Sequence, residues 1–174
     1  MPAIAQCPVA EDSPLRTYRG GKHPDRWRYY EDCLSVSVGR AVTLREFVLA
    51  FYTSPVFRTE RLILRFLAGV HSMDEQAREL AERRRETFAV WIVGARTVDQ
   101  LLMCYRYGKT RSWFRVVPLA AGDTVLQFGS GVAGRPRGDV AWGMNRTFGV
   151  LLGFHRLYSR VLLATAVRQR VMTT

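Results

Sequence analysis

The sequence has few long apolar runs and no targeting signal, and both absences limit the class of protein. A membrane-spanning helix needs about 20 consecutive apolar residues, whereas the longest apolar stretches near the C-terminus are interrupted by His155, Arg156 and Arg160. The first 15 residues combine neither a basic start nor an apolar run, so they do not resemble a secretory signal. The sequence therefore predicts a cytoplasmic protein.

Cysteine and histidine are also scarce and widely spaced. The cysteines are odd in number and none forms a C-x-x-C pair: they are Cys7, Cys33 and Cys104. This usage fits a reducing compartment and predicts no structural disulfide. The histidines His23, His71 and His155 lack the spacing of metal ligands. We therefore predict neither a metal site nor a cofactor.

Lysine is nearly absent, although the chain is strongly basic. The formal net charge is +11 and the pI is near 10.4, values that favour nucleic acid or an anionic membrane surface as partner. Of the 26 basic residues only Lys22 and Lys109 are lysine, a ratio that also arises from GC-rich coding. The composition does not decide between a functional charge and a coding bias.

The length of 174 residues and the hydrophobic fraction of 48% are those of one globular domain. Proline and glycine interrupt any periodicity before residue 25, so we predict a flexible N-terminal arm over 1–27 and a single domain over 28–174. Basic residues alternate with aromatic ones over 16–30. These aromatic rings either pack on the domain or stack on single-stranded nucleic acid.

The first half of the domain carries one strand pattern and three helix patterns. Residues 30–38 alternate between apolar and polar side chains, as in a half-buried strand. A capping box, Thr43 to Glu46, begins the first helix, and Ser54-Pro55 begins a second helix that ends at Gly69. A second capping box, Ser72 to Glu75, predicts a third helix through Glu86.

The second half predicts a strand meander and a closing helix. Four strand-like runs cover residues 88–96, 100–107, 112–118 and 124–132. Their short connections permit only antiparallel neighbours. An apolar pattern with a narrow polar stripe then predicts one helix from Asp139 to Arg170. The predicted fold is α+β, with an antiparallel sheet of about five strands gripping a long C-terminal helix and a helical excursion after the first strand.

A glycine motif follows the last predicted strand. Gly129, Gly131 and Gly134 match G-x-G-x-x-G, but the antiparallel strands and the missing acid about 20 residues later argue against dinucleotide binding. Glycines that let the strand bend beneath the last helix explain the motif better. An anion site formed by Arg135, Arg137 and the start of that helix remains an alternative.

Three segments, residues 52–61, 109–114 and 153–160, resemble those of a small bacterial protein family of unknown function, over about residues 28–168. That family in turn resembles, in the order of its elements, the START-like, polyketide-cyclase-like superfamily. The resemblance implies a helix-grip fold that binds a hydrophobic small molecule between sheet and helix. Some members of the superfamily are cyclases or hydratases, but none of their catalytic motifs is found in this sequence.

Aromatic residues in successive strands are core residues or line a pocket with a few polar anchors. The candidate ligand-binding residues are Trp91, Tyr105, Arg111, Trp113, His155 and Tyr158. We expect a protein that binds a small hydrophobic or amphipathic molecule, which an anionic group would also suit. The alternatives are a cyclase- or hydratase-like enzyme, with His155 and Asp99 (or Asp32) as the candidate catalytic pair, and an adaptor for nucleic acid or an anionic membrane. The oligomeric state is not indicated.

Overall fold

The computed structural model describes residues 3–18, 28–106, 110–134 and 160–168. They form one seven-stranded antiparallel sheet with helices on both of its faces. The strands are β1 (Ala5–Gln6), β2 (Arg28–Val38), β3 (Thr87–Phe88), β4 (Trp91–Arg96), β5 (Gln100–Tyr105), β6 (Thr110–Pro118) and β7 (Thr124–Gly134). The helices are α1 (Pro14–Thr17), α2 (Leu44–Tyr52), α3 (Pro55–Ala68), α4 (Asp74–Ala81) and α5 (160–168).

The strand order is β1-β2-β7-β6-β5-β4-β3, and all neighbours are antiparallel. Strand β2 pairs with β7 along its whole length, so the strand before the helices lies beside the last strand of the meander. The predicted α+β class with an antiparallel sheet is confirmed. The prediction of about five strands is wrong, because β1 and β3 have two residues each and are too short to produce an alternating pattern.

Three of the predicted helix boundaries are confirmed by their caps. Thr43 Oγ1 accepts the backbone N–H of Glu46, and the Glu46 carboxylate accepts that of Thr43. Ser54 caps α3, which ends at Gly69 with a φ of 64°. The third helix differs from the prediction: Met73 is its N-cap, Gln76 accepts the Met73 N–H, and the helix ends at Ala81 rather than Glu86.

The main core lies between the inner face of the sheet and helices α2, α3, α4 and α5. Aromatic rings of α2 pack against rings of β6 and β7, with the Phe51 centroid 4.8 Å from those of Phe114 and Phe128. Leu162 and Leu163 bury the apolar side of α5 in the same core. The remaining residues of the helix predicted over Asp139–Arg170 lie outside the described part of the chain.

The outer face of the sheet is covered by the N-terminal segment. The sequence predicts a flexible arm over 1–27, but residues 3–18 form β1 and α1 and place Leu15, 1% exposed, against Trp113 and Leu102. The apolar contacts of Leu15 explain why this segment packs on the sheet. Residues 19–27 lie outside the description. Within the described residues, no helix combines the length and the hydropathy needed to cross a membrane.

Candidate functional site

A cavity of about 260 Å³ lies between the inner face of the sheet and helices α2, α3 and α5. It is the candidate functional site. The lining residues come from all four walls of the core: Phe51, Tyr52, Phe57, Glu60, Leu64, Val90, Trp91, Tyr105, Thr110, Ser112, Phe128 and Leu162. Most of these side chains are apolar, so the cavity is suited to an apolar body with a few polar contacts.

The aromatic wall of the cavity is set by the α2–α3 turn. Helix α2 ends at Tyr52, and Ser54 caps the start of α3. This short turn brings Tyr52 and Phe57 together, with ring centroids 4.8 Å apart. Tyr52 also lies 4.9 Å from Phe88 and is almost fully buried. Rings held in this way from several sides keep their positions when the cavity is empty, so the wall is preformed.

The polar contacts of the cavity come mainly from one end of the meander. Trp91 and Tyr105 are directly opposite each other on β4 and β5, with ring centroids 5.8 Å apart. The indole N–H of Trp91 is buried and has no hydrogen-bond partner among the described residues. An unpaired buried donor costs roughly 1–3 kcal/mol.

Glu60 of α3 supplies the one acidic side chain that lines the cavity within the described residues. Glu60 is half-buried at this position. Burial raises the pKa of the Tyr52 hydroxyl, and the nearby Glu60 charge raises it further. Tyr52 therefore stays protonated in the cavity wall and remains available as a hydroxyl group.

A row of hydroxyl and carboxylate groups crosses the inner face next to the cavity. Asp32, Ser130 and Ser112 are paired across β2, β7 and β6. The Ser130 hydroxyl donates a hydrogen bond to the Asp32 carboxylate, and Ser112 lines the cavity itself.

The structure brings together two of the six predicted ligand-binding residues, Trp91 and Tyr105. Arg111 and Trp113 lie on the outer face, because Ser112 between them points inward and side chains alternate along a strand. Arg111 donates to the Tyr18 carbonyl at 3.1 Å, with its guanidinium 5.2 Å from the Tyr18 ring centre. Trp113 Nε1 donates to Gln100 Oε1 at 2.9 Å.

The remaining candidates divide between the described and undescribed parts of the chain. His155 and Tyr158 lie outside the described residues, as do Arg135 and Arg137 of the alternative anion site. Asp99 lies in the turn between β4 and β5, where its carboxylate accepts from the Thr97 hydroxyl at 2.7 Å. Asp99 lines a different cavity, so it does not face the candidate site.

The glycine motif has a packing explanation in the structure. Residues 129–134 are part of β7, with β2 and β6 on either side. A Cβ atom at Gly129 would lie 2.8 Å from the Trp113 ring, so glycine is needed for the close contact between them. Among the described residues no three His, Cys, Asp or Glu side chains cluster as metal ligands do.

Sequence reasoning missed Phe57, Glu60 and Leu64 as lining residues. These three positions are spaced by three and four residues on α3 and so share one face of the helix. The spacing was visible in the sequence, but Glu60 made the face look polar. Comparison of the chain with protein-family models and with curated proteins found no match.

Proposed function

We propose that this chain binds a small hydrophobic or amphipathic molecule in the cavity between the sheet and helices α3 and α5. The observation that carries the proposal is the aromatic-lined space of about 260 Å³ that includes Trp91, whose buried N–H has no partner among the described residues. Cavities that take small ligands combine an apolar lining with a few polar groups in this way.

The dimensions and charge of the cavity narrow the class of ligand. Its volume is slightly below the range of about 300–1,000 Å³ typical of ligand cavities, which favours a compact molecule over a long lipid chain. The carboxylate of Glu60 disfavours an anionic ligand by charge repulsion. The Trp91 N–H calls for a hydrogen-bond acceptor. A neutral or cationic compound with an apolar body and one carbonyl or hydroxyl oxygen fits best.

The order of the elements supports the same location. Strand β2, three helices, a meander and a C-terminal helix follow the order of the START-like superfamily, which the sequence resembles, and members of that superfamily bind ligands between sheet and helix. The proposal includes the long C-terminal helix predicted over Asp139–Arg170, of which α5 is the described part. It also includes a cytoplasmic location, which the three free cysteines favour.

A fluorescent probe tests the proposal. The neutral apolar fluorophore N-phenyl-1-naphthylamine should brighten and saturate when the chain is added. The variant Ser112→Leu should abolish this, because its larger side chain would fill the cavity. The matched control Ser37→Leu adds the same group at an exposed position of β2 and should bind as the unaltered chain does.

Urea unfolding of both variants would show that they remain folded. Equal binding by the two leucine variants, or no saturable binding by the unaltered chain, would overturn the proposal.

A cyclase- or hydratase-like enzyme is the second candidate, and one observation favours it. The Ser130 hydroxyl hydrogen-bonded to Asp32 lies in the row beside the cavity-lining Ser112. A carboxylate near an apolar cavity can act as a general base. Once a bound compound is known, Asp32→Asn should abolish its conversion and leave its binding intact. Unchanged conversion by this variant would remove the enzyme candidate that rests on Asp32.

A further inference from the structure

Helix α3 and the loop after it expose four large apolar side chains. They are Leu62, Ile63, Phe66 and Met73, and Phe66 is 78% exposed. In the rest of the described chain only Val98, Leu119 and Val161 are comparable, and these lie apart from one another in sequence. A cluster of exposed apolar side chains marks an interaction site more often than scattered ones do.

Beside this cluster lies a second cavity, of about 350 Å³, with a basic lining. It includes Arg58, Arg61 and Arg65, which follow one another at intervals of three and four residues on α3, and His71 from the loop. Leu62 and Met73 line the same cavity, and Phe66 lies one turn from Leu62 on α3, so these apolar side chains border the basic cavity. We call six residues, Arg58, Arg61, Leu62, Arg65, Phe66 and Met73, the α3 surface.

The α3 surface has an excess of positive charge. Arg58 and Arg61 both bind the carboxylate of Asp74, and Arg65 has no acidic partner within ion-pair distance among the described residues. Three guanidinium groups therefore face one carboxylate. Arg61 Nε and Ser72 Oγ are buried without hydrogen-bond partners in the described chain.

We propose that the α3 surface docks on an anionic lipid bilayer. Leu62 and Phe66 enter the interfacial region, and the arginine-lined cavity takes a lipid phosphate, whose oxygens match guanidinium geometry. A single helix that exposes apolar side chains beside arginines is the arrangement of interfacial membrane helices. The net charge of +11 also attracts the chain to an anionic bilayer. A protein partner would need acidic side chains placed opposite these arginines, whereas an anionic bilayer presents phosphate groups over its whole surface.

Vesicle co-sedimentation of the full chain tests the proposal. The chain should bind vesicles of equal parts phosphatidylglycerol and phosphatidylcholine and not vesicles of phosphatidylcholine alone. Phe66→Asp should weaken binding roughly tenfold or more, because an apolar ring no longer enters the interface. Arg65→Gln should weaken binding about fivefold and reduce its dependence on salt.

Two matched controls separate docking from general attraction by a basic protein. Val98→Asp replaces an apolar side chain that is 80% exposed, and Arg83→Gln removes one charge. Both residues line a different cavity that shares no lining residue with the basic one. These controls should bind anionic vesicles within about twofold of the unaltered chain, because one surface charge away from the contact has little effect.

Three results would overturn the proposal: no binding to anionic vesicles, equal weakening by the α3 variants and the controls, or binding that is stronger to a single-stranded oligonucleotide and insensitive to Phe66→Asp. The last result would assign the arginines to nucleic acid. The proposal does not rest on the ligand cavity, since Phe66 and Arg65 do not line it. The fluorophore assay and the vesicle assay therefore fail independently.

Discussion

At the scale of single residues, Gly94 shows how tightly the outer face is packed. A Cβ atom at this position would lie 2.7 Å from Cys104 Sγ, with Leu102 and Tyr18 at 3.2 and 3.3 Å. The register between β4 and β5 shifts at Val93 and Ala95, so the glycine also lies at an irregularity of the sheet. The close approach of three side chains leaves little room for a methyl group.

We therefore expect Gly94→Ala to lower the free energy of unfolding by roughly 1–3 kcal/mol, the usual cost of overpacking. Gly39→Ala is the control, because nothing lies within 4 Å of a Cβ atom there. Urea denaturation measures both. Adding Cys104→Ala to the first variant should recover most of the loss. Equal stability of the two alanine variants would contradict this account of the contact.

Residue spacing located some site residues and misplaced others. Trp91 and Tyr105 could be chosen because aromatic side chains recur in successive strands. Trp113 was chosen by the same reasoning and Arg111 as a polar anchor. Both point outward, because successive side chains of a strand lie on opposite faces of the sheet. Both faces of the sheet are covered, one by α2 and the other by the N-terminal segment. The strand residues are therefore apolar on both sides, and the sequence does not indicate which alternate set faces the helices.

At the scale of elements, α3 and α4 are joined through Asp74. Its carboxylate receives Arg61 Nη1 at 2.6 Å and also binds Arg58. Burial opposes ionisation, but the hydrogen bonds from Arg61 and Arg58 outweigh it and hold the pKa of Asp74 below its usual range. A carboxyl group whose pKa is lower in the folded than in the unfolded chain stabilises the fold above its unfolded pKa, about 3.9. This stabilisation is lost as the pH falls through the folded pKa.

Asp74→Asn removes this contribution, so its unfolding free energy should decline less than that of the unaltered chain between about pH 5 and about pH 3. The effect is small because Asp74 is partly exposed and solvent screens the pairs. Urea midpoints at the two pH values measure it. Asp123→Asn, which removes an acid without an ion-pair partner among the described residues, serves as the control. A parallel decline in Asp74→Asn and the unaltered chain would contradict the assigned role.

Helices α2 and α3 and the long strands could be predicted because their signals are local. Thr43, Ser54 and Gly69 act within one turn of the chain, and long strands show their alternation over many residues. Strands β1 and β3 could not be predicted, because each has two residues and is defined by its pairing with a longer strand. In β1, Ala5 and Gln6 pair with Ser35 and Leu34. The start of α4 was misplaced by one residue: Met73 rather than Ser72 is the N-cap, and its backbone N–H donates to Gln76 Oε1.

At the scale of the whole molecule, one sheet separates two kinds of packing. The outer face holds the N-terminal segment against a small cluster around Trp113 and Leu15. The inner face holds the helices over a larger aromatic core, and this side contains the cavity. The sequence predicted the class of fold and the order of most elements. The cavity could not be predicted, because it depends on how far three helices stand from the sheet.

Helix α3 links the two proposals in one element. Phe57, Glu60 and Leu64 face the ligand cavity, whereas Ile63 and Phe66 are exposed. A bilayer bound to the exposed side of α3 would lie within one helix diameter, about 10 Å, of the ligand cavity. This arrangement would suit an amphipathic ligand that partitions into membranes, although each proposal has its own test.

Native mass spectrometry of the freshly purified chain is the most direct test of the central claim, that the cavity holds a small molecule. We predict a species heavier than the 19.9 kDa chain by one discrete compound, lost on denaturation and absent from Ser112→Leu purified in parallel. Addition of the recovered compound to the stripped chain should restore the heavier species. A bare chain under native conditions, together with no uptake of small apolar compounds added in excess, would contradict the account.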